Sequence, residues 1–242
     1  MKCNRHIWDT EDREWCWKCE ELTIEENKKK YSKKDMKISF AITVCNELNE
    51  IKNLVPFLIK NKRPQDEIVI LFDSKNGDKE VLEFLSQYPP IFDDVIIKEN
   101  MWFNNDFGAW KNLLGSYCSG DYIYQIDADE MISEYMVKNI NLILNMNPDV
   151  DLIFVPRINT VEGITQEHIS KWKWSVNENN HINFPDYQGR IFRKNMVWSG
   201  KVHEKIIGIK NYSTLPTDEE YCIQHHKTID RQEKQNNYYN TL

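Results

Sequence analysis

The sequence predicts an α/β protein, with a mainly parallel sheet carrying helices on both faces and a small N-terminal appendage. Three observations predict it. From Met36 onward, short runs of β-branched and aromatic residues alternate with stretches of helical spacing. One of those runs, Tyr122-Ile123-Tyr124-Gln125-Ile126, ends abruptly in Asp127, Asp129 and Glu130. Residues 1–20 are different in kind, holding three of the six cysteines and three of the eight tryptophans.

The elements follow in order. Residues 38–44 form a buried strand, rich in side chains that suit a pleated surface. Ile51, Leu54, Val55, Leu58 and Ile59 then keep helical spacing, with Pro56 as a kink. Residues 68–72 are the second strand, closed by the turn 73–78. Val81, Leu82 and Leu85 mark a helix, and residues 95–97 a third strand. A helix over about 106–117 leads through Ser119-Gly120 into the aspartate-bearing strand. A helix over about 133–145, a strand at 152–155, a short strand at 221–223 and a polar helix over 229–242 complete the series. The expected division is an appendage at 1–20, a charged linker or helix at 21–35 and one α/β domain at 36–242.

The chain of 242 residues can bury a full α/β core, and its aromatic content argues against disorder. A net charge of −7 excludes a general nucleic-acid coat, though not a local basic groove. No apolar run approaches the ~18 residues of a membrane span. Charged residues follow Met1, so a cytoplasmic protein is expected. Cys45, Cys118 and Cys222 sit singly in apolar or mixed segments, which suits reduced thiols.

A strand that delivers Asp127 and Asp129 to its C-terminal end places hard oxygen donors where open α/β sheets bind ligands. Such a pair suits Mg²⁺ or Mn²⁺, which accept a few carboxylates and complete their shell with phosphate oxygens. Other strand ends are polar too: Asn46 and Glu47 follow the first strand, and Asp73 the second. Each taken alone suits a cap or a turn. Their recurrence suits the hydroxyl and N–H donors of a nucleoside.

These residues resemble a known family. Ile42-Thr43-Val44-Cys45-Asn46-Glu47, Phe72-Asp73-Ser74, Gly108-Ala109-Trp110-Lys111-Asn112 and Gln125-Ile126-Asp127-Ala128-Asp129-Glu130 look like the ordered motifs of family 2 glycosyltransferases with the GT-A fold. Pro185-Asp186-Tyr187-Gln188-Gly189-Arg190-Ile191-Phe192-Arg193 and Trp198-Ser199-Gly200-Lys201-Val202-His203-Glu204 resemble a subgroup related to lipopolysaccharide-core sugar transferases. The likeness runs from about Met36 to His226 and departs at Ser74, where many relatives have a second acidic residue.

The resemblance implies a metal-dependent, inverting transfer of a sugar from a nucleoside diphosphate to an acceptor hydroxyl. Glu47 and Asp73 would hold ribose and base, with Asn46 and Lys111 beside the nucleotide. Asp127 would lie near ribose or metal, Asp129 would bind the metal, and Arg190 would face the pocket. Inversion needs a general base opposite the leaving diphosphate. Asp186 and Glu204 are the candidates, and His203 is either a third metal ligand or an acceptor contact. After the strand at 221–223 come His225 and His226. Adjacent strand residues point to opposite faces, so at most one of them reaches the pocket.

Cys3, His6, Cys16 and Cys19 form a C-x₂-H-x₉-C-x₂-C pattern with the ligand count of a closed tetrahedral Zn²⁺ site. A structural staple, a docking knuckle and accidental spacing are its three readings. The acceptor is expected to be a glycan, with a modified nucleic-acid base or a protein left open by the zinc pattern and the lysines at 28–34. Nucleotidyl transfer ranks lower, because Val44-Cys45-Asn46-Glu47-Leu48 lacks the glycines of a phosphate loop. The rival outside the enzymes is a non-catalytic, zinc-bearing module that binds sugar or nucleic acid.

Overall fold

The computed structural model describes residues 34–239. The zinc ligands expected at Cys3, His6, Cys16 and Cys19 lie outside the described residues, as does most of the segment 21–35. The first half alternates strand and helix: β1 (Ile38–Val44), α1 (Leu48–Asn61), β2 (Glu67–Asp73), α2 (Lys79–Ser86), β3 (Val95–Met101), α3 (Phe107–Tyr117) and β4 (Tyr122–Asp127). After β5 (Glu130–Met131) and α4 (Glu134–Met146) come β6 (Leu152–Glu162), α5 (Gln166–Trp172) and β7 (Ile182–Arg193). The hairpin β8 (Val197–Ser199) and β9 (Lys205–Ile207), then β10 (Tyr212–Thr214), β11 (Ile223–Thr228) and α6 (Ile229–Tyr239), complete the described chain.

The central strands are apolar on both faces because each face is covered. Ile38, Phe40 and Ile42 pack with Ile51, Leu54 and Leu58 of α1, Val81 and Leu85 of α2, and Met136 and Ile140 of α4. Ala41, Val69, Leu71 and Ile123 pack on the other face against Trp110 and Leu114 of α3 and Trp198 and Ile206 of the hairpin. The expected boundaries hold within a few residues through α4, whereas the strand expected at 152–155 runs to Glu162 and the one expected at 221–223 is Ile223–Thr228. Asp106 is the cap of α3, accepting from Ala109 N at 2.8 Å, and Ser133 caps α4. Pro56 does not end α1. Pro56 and Lys52, whose carbonyl loses its helical partner, are both exposed, which leaves that side of the helix open to solvent.

The sheet runs β3-β2-β1-β4-β7-β6-β11-β5, with β10 also on β6. Its first four strands are parallel, as expected. The second half is a correction: β7 is antiparallel to both β4 and β6, and β5 to β11. The sheet is therefore mixed. A parallel return needs a crossover that packs on the sheet. The chain instead reverses after β6 through α5, a helix with no buried residue, and comes back beside β6 as β7.

Strand order reverses between β1, which is followed spatially by β2, and β4 on its other side. Such a switch point leaves a crevice outside the carboxyl ends of the two strands. Here that crevice is floored by Asn46 and Glu47 after β1 and by Asp127 and Asp129 at the end of β4.

Candidate active site

The crevice opens into a cleft of about 1450 Å³. Its walls include every candidate among the described residues: Asn46, Glu47, Asp73, Lys111, Asp127 and Asp129 from the first half, and Asp186, Arg190, His203 and Glu204 from the second.

On the nucleotide side, Glu47 folds back on its own strand end, accepting from Cys45 N at 2.8 Å and Asn46 N at 3.0 Å. Burial raises its carboxyl pKa and the Asp129 charge adds to this, against the opposing pull of those N–H groups and Arg231. Asp73 is buried and accepts from Asn76 Nδ2 at 2.8 Å and Phe103 N at 3.2 Å, which fixes the turn after β2. Burial also pushes the nearby Cys45 thiol up to about 12, so it is an inert wall rather than a nucleophile.

The centre is a chain of alternating charges. Burial acts to raise the Asp127 carboxyl, but Arg190 and Lys111 outweigh it and hold it well below the usual range. Arg190 Nη2 donates to Asp127 Oδ2 at 2.6 Å and to Glu130 Oε1 at 2.6 Å. Glu130, buried, also accepts from Arg157 Nη1 at 2.9 Å and Asp127 N at 3.0 Å, so it clamps the turn that carries Asp129. Asp129 meets His225 Nε2 at 3.3 Å, Lys227 Nζ at 3.5 Å and Arg231 Nη2 at 3.6 Å. Against the cost of burial, His225 and Lys227 hold its carboxyl well below the usual range.

The two base candidates differ sharply. Asp186 is held on both oxygens: Arg157 Nη2 at 2.7 Å and Asn159 Nδ2 at 2.8 Å on Oδ2, and Gln188 Nε2 at 2.7 Å on Oδ1. Despite burial, Arg157 and these donors lower its pKa. Glu204 Oε1 accepts from Lys111 Nζ at 2.5 Å, and Lys111 also lies 4.6 Å from the Trp198 ring. The hairpin carrying His203 and Glu204 is fastened to α3. Asn112 bonds both Trp198 N and Trp198 O at 2.8 Å, and Gly108 N donates to Gly200 O at 3.2 Å. A Cβ on Gly108 would stand 2.6 Å from that carbonyl, so this approach needs glycine. His203 takes a left-handed φ of 55° at the turn.

Residues 39–206 of this chain match glycosyl transferase family 2. The chain belongs to that family. This glycosyltransferase domain is 29% identical, over 119 residues, to the poly(ribitol-phosphate) beta-glucosyltransferase of Bacillus spizizenii, a match covering 48% of this chain and 19% of that one. The S. aureus TarS 1–349 structure matches with a TM-score of 0.56 at 14% identity, covering 79% of this chain and 60% of TarS 1–349. TarS 1–349 in complex with UDP-GlcNAc gives a TM-score of 0.56 at 16% identity, covering 79% and 59%. That likeness establishes a GT-A-like fold. The chain spans about a fifth of the curated relative's length and about 60% of the solved TarS 1–349 chain.

Three residues of the glycosyltransferase cleft, Arg157, Asn159 and Lys227, were not singled out from sequence, whereas His225 was. Arg157 and Asn159 alternate along β6, and His225 and Lys227 along β11, each pair presenting one strand face. That period of two was the available signal. Of the adjacent histidines, His225 enters the cleft, whereas His226 is exposed and bonds Thr160 Oγ1. Among the described residues no three His, Cys, Asp or Glu side chains are gathered as a formed metal site. The cleft does line up Asp127, Asp129 and, 3.3 Å from Asp129, the His225 imidazole, donor types whose chemistry fits Mn²⁺ or Mg²⁺. No described helix is long and apolar enough to cross a membrane.

Proposed function

We propose that this domain transfers a sugar, with inversion and with a divalent cation, from a nucleoside diphosphate sugar to a hydroxyl of a glycan or polyol acceptor. The observation that carries the reading is the meeting, at one topological switch point, of nucleoside-binding groups and phosphate-side groups. Glu47 follows β1 and Asp73 ends β2, while Asp127 ends β4, Asp129 follows it and His225 lies within β11. Glu47 and Asp73 offer acceptors to ribose hydroxyls and base N–H groups, with Asn46 beside them. Asp127, Asp129 and His225 would hold Mn²⁺ or Mg²⁺, which when bound neutralises the departing diphosphate as a Lewis acid. Lys227 and Arg231, already directed at Asp129, add positive charge for the same diphosphate.

Glu204 is the general base in this reading, because Asp186 has both oxygens committed and its basicity lowered by Arg157. His203, on the same hairpin turn, becomes an acceptor contact and His225 takes the metal role. The segments that resemble lipopolysaccharide-core transferases form β7 and the hairpin, and they line the second half of the cleft, where an acceptor would enter. The name of the Bacillus spizizenii relative makes poly(ribitol phosphate) the first acceptor to try.

The test is a panel of nucleotide sugars with Mn²⁺, followed by thermal unfolding and by release of nucleoside diphosphate. A ligand that binds only the folded state raises its unfolding midpoint. One donor should raise it and be turned over with acceptor, and Asp129→Asn should lose both effects. If no nucleotide or nucleotide sugar shifts the midpoint, the reading is wrong.

A further inference from the structure

The chain reversal between β6 and β7 carries two tryptophans that the core does not use. Trp110 and Trp198 are buried in the apolar layer shared by α3 and the hairpin. Trp172 and Trp174 are half-buried and belong to neither apolar cluster of the described residues. The helix that leads to them, α5, has no buried residue. Large aromatic side chains held partly open on a fixed support suit contact with a ligand face rather than stabilisation of the fold.

The backbone fixes Trp174 from both sides. Lys173 ends α5 in the left-handed region, with a φ of 54°, and Trp174 N donates back to Ile169 O at 3.0 Å. That closure turns the chain away from the helix axis. On the other side, Ser175 N donates to Asn183 Oδ1 at 2.9 Å and Asn183 N to Ser175 O at 2.7 Å. The Trp174 ring leans on Trp172, with centroids 4.6 Å apart, and Trp172 stacks on His168 at 5.2 Å. Of these three rings only Trp174 lines the cleft. It shares that wall with Val161 near the end of β6 and Ile182 at the start of β7. Both strands lie across β4 from β1 and β2, whose ends carry Glu47 and Asp73.

We infer that Trp174 is the platform on which a cyclic sugar residue of the acceptor stacks. The inference rests on the reading of this cleft as a glycosyltransferase site with the nucleoside at Glu47 and Asp73. An indole offers a flat apolar face about the size of a pyranose ring, and the ring C–H groups make one side of such a sugar apolar. The sugar hydroxyls point outward around the ring, where Asn183, exposed in the same wall, presents its amide. An open-chain polyol has no flat face of that area. Trp174 therefore favours the glycan over the polyol as acceptor. A nucleoside base would also stack, but its groups stand on the far side of β4.

The test labels the full chain with 5-fluorotryptophan and follows the fluorine resonances, with the Trp174 signal assigned by its loss in Trp174→Phe. Methyl pyranosides of the common hexoses are the probes, and ribitol phosphate is the open-chain control. At least one pyranoside should move the Trp174 signal, and ribitol phosphate should not. A signal unmoved by every pyranoside, or moved equally by ribitol phosphate, overturns the inference, and so far only the conservative variant has had to fold. With the pyranoside that moves it most as acceptor, Trp174→Ala should raise the acceptor KM by about 10-fold, a loss of binding rather than of chemistry. Trp174→Phe should restore most of that affinity. An unchanged acceptor KM in Trp174→Ala overturns the inference. The rise in unfolding midpoint given by the nucleotide sugar should be the same in Trp174→Ala as in wild type, which also shows that the variant folds. A smaller rise would place Trp174 against the donor and overturn the inference. If a pyranoside moves the signal while no nucleotide sugar raises the wild-type midpoint, the functional reading fails instead, so the two failures are told apart.

Discussion

The two ends of the parallel strands use the same residue types for opposite purposes. At the amino end of β2, Glu67 is buried and accepts from Lys37 Nζ at 2.6 Å, Ser39 Oγ at 2.7 Å, and Ser119 N and Oγ at 2.5 Å each. Its neighbour Asp66 accepts from Arg63 and from Ile38 N at 2.9 Å. Burial acts against the Glu67 charge, but these donors win and hold its pKa at about 2. At the carboxyl end, Glu47 has fewer donors for a comparable task, and its pKa is raised. A carboxylate completed by the protein stabilises the fold, whereas one left incomplete has capacity for a ligand. The difference separates Glu67 from Glu47, two carboxylates that composition alone does not tell apart; Asp127 and Asp129 are held charged by cations and yet face the cleft.

The largest effect should come from Asp129→Asn. The amide keeps size and hydrogen bonding but removes the charge needed by the cation and by the Lys227 and Arg231 cluster. Metal-dependent turnover should fall by about 10³-fold or more, equivalent to ~4 kcal/mol of transition-state stabilisation. Near wild-type turnover at saturating donor would break the comparison at its functional end.

Glu67→Gln tests the structural end. The change from an ordinary 4.5 to about 2 corresponds to roughly 3 kcal/mol at 1.36 kcal/mol per unit. The folded pKa is depressed, so this stability is present above about pH 4.5 and is lost as pH falls toward 2. Denaturant unfolding should therefore show a gap between wild type and Glu67→Gln that is wide at pH 6 to 7 and closes in acid. Donor affinity should be unchanged, since Glu67 does not line the cleft. A gap independent of pH would assign the loss to packing rather than charge.

Glu204→Gln should lower kcat by about 10²-fold while leaving donor affinity intact, the signature of a missing base. Asp186→Asn should instead lower stability, because it leaves the half-buried Arg157 guanidinium with a weaker partner. If Asp186→Asn loses kcat selectively and Glu204→Gln does not, the roles assigned to the two carboxylates exchange.

The N-terminal half of this site was legible in the sequence because its strands are parallel and doubly buried. Each reads as a continuous apolar run, and the polar residue that ends it is conspicuous, as with Asp73 and Asp127. The second half was less legible. β7 carries only Ile182 and the Arg190-Ile191-Phe192 stretch as buried residues among half-exposed ones, so no apolar run announces a strand of 12 residues. Its antiparallel direction follows from a reversal at α5, which carries no hydrophobic signal. Arg157, Asn159 and His225 meet through register across β6 and β11, a long-range property that local spacing does not encode. The charged clamp of Glu130 and Arg190 likewise joins segments 60 residues apart.

The smallest effect is also the one that sharpens the comparison most, because it predicts a sign. Glu47→Gln removes a charge that burial disfavours, while its amide oxygen can still accept from Cys45 N and Asn46 N. Because the folded pKa is raised, the contribution of Glu47 to stability is present below its unfolded value and is lost as pH rises through the folded value. At neutral pH the wild-type charge thus opposes folding, and the variant should unfold at a slightly higher midpoint, the reverse of Glu67→Gln. Nucleotide-sugar affinity should fall at the same time, since an amide oxygen is a weaker acceptor for ribose hydroxyls than a carboxylate. Thermal unfolding with and without donor measures both at once. A lower midpoint without donor would mean that Glu47 is held for the fold, through Arg231, rather than for a ligand.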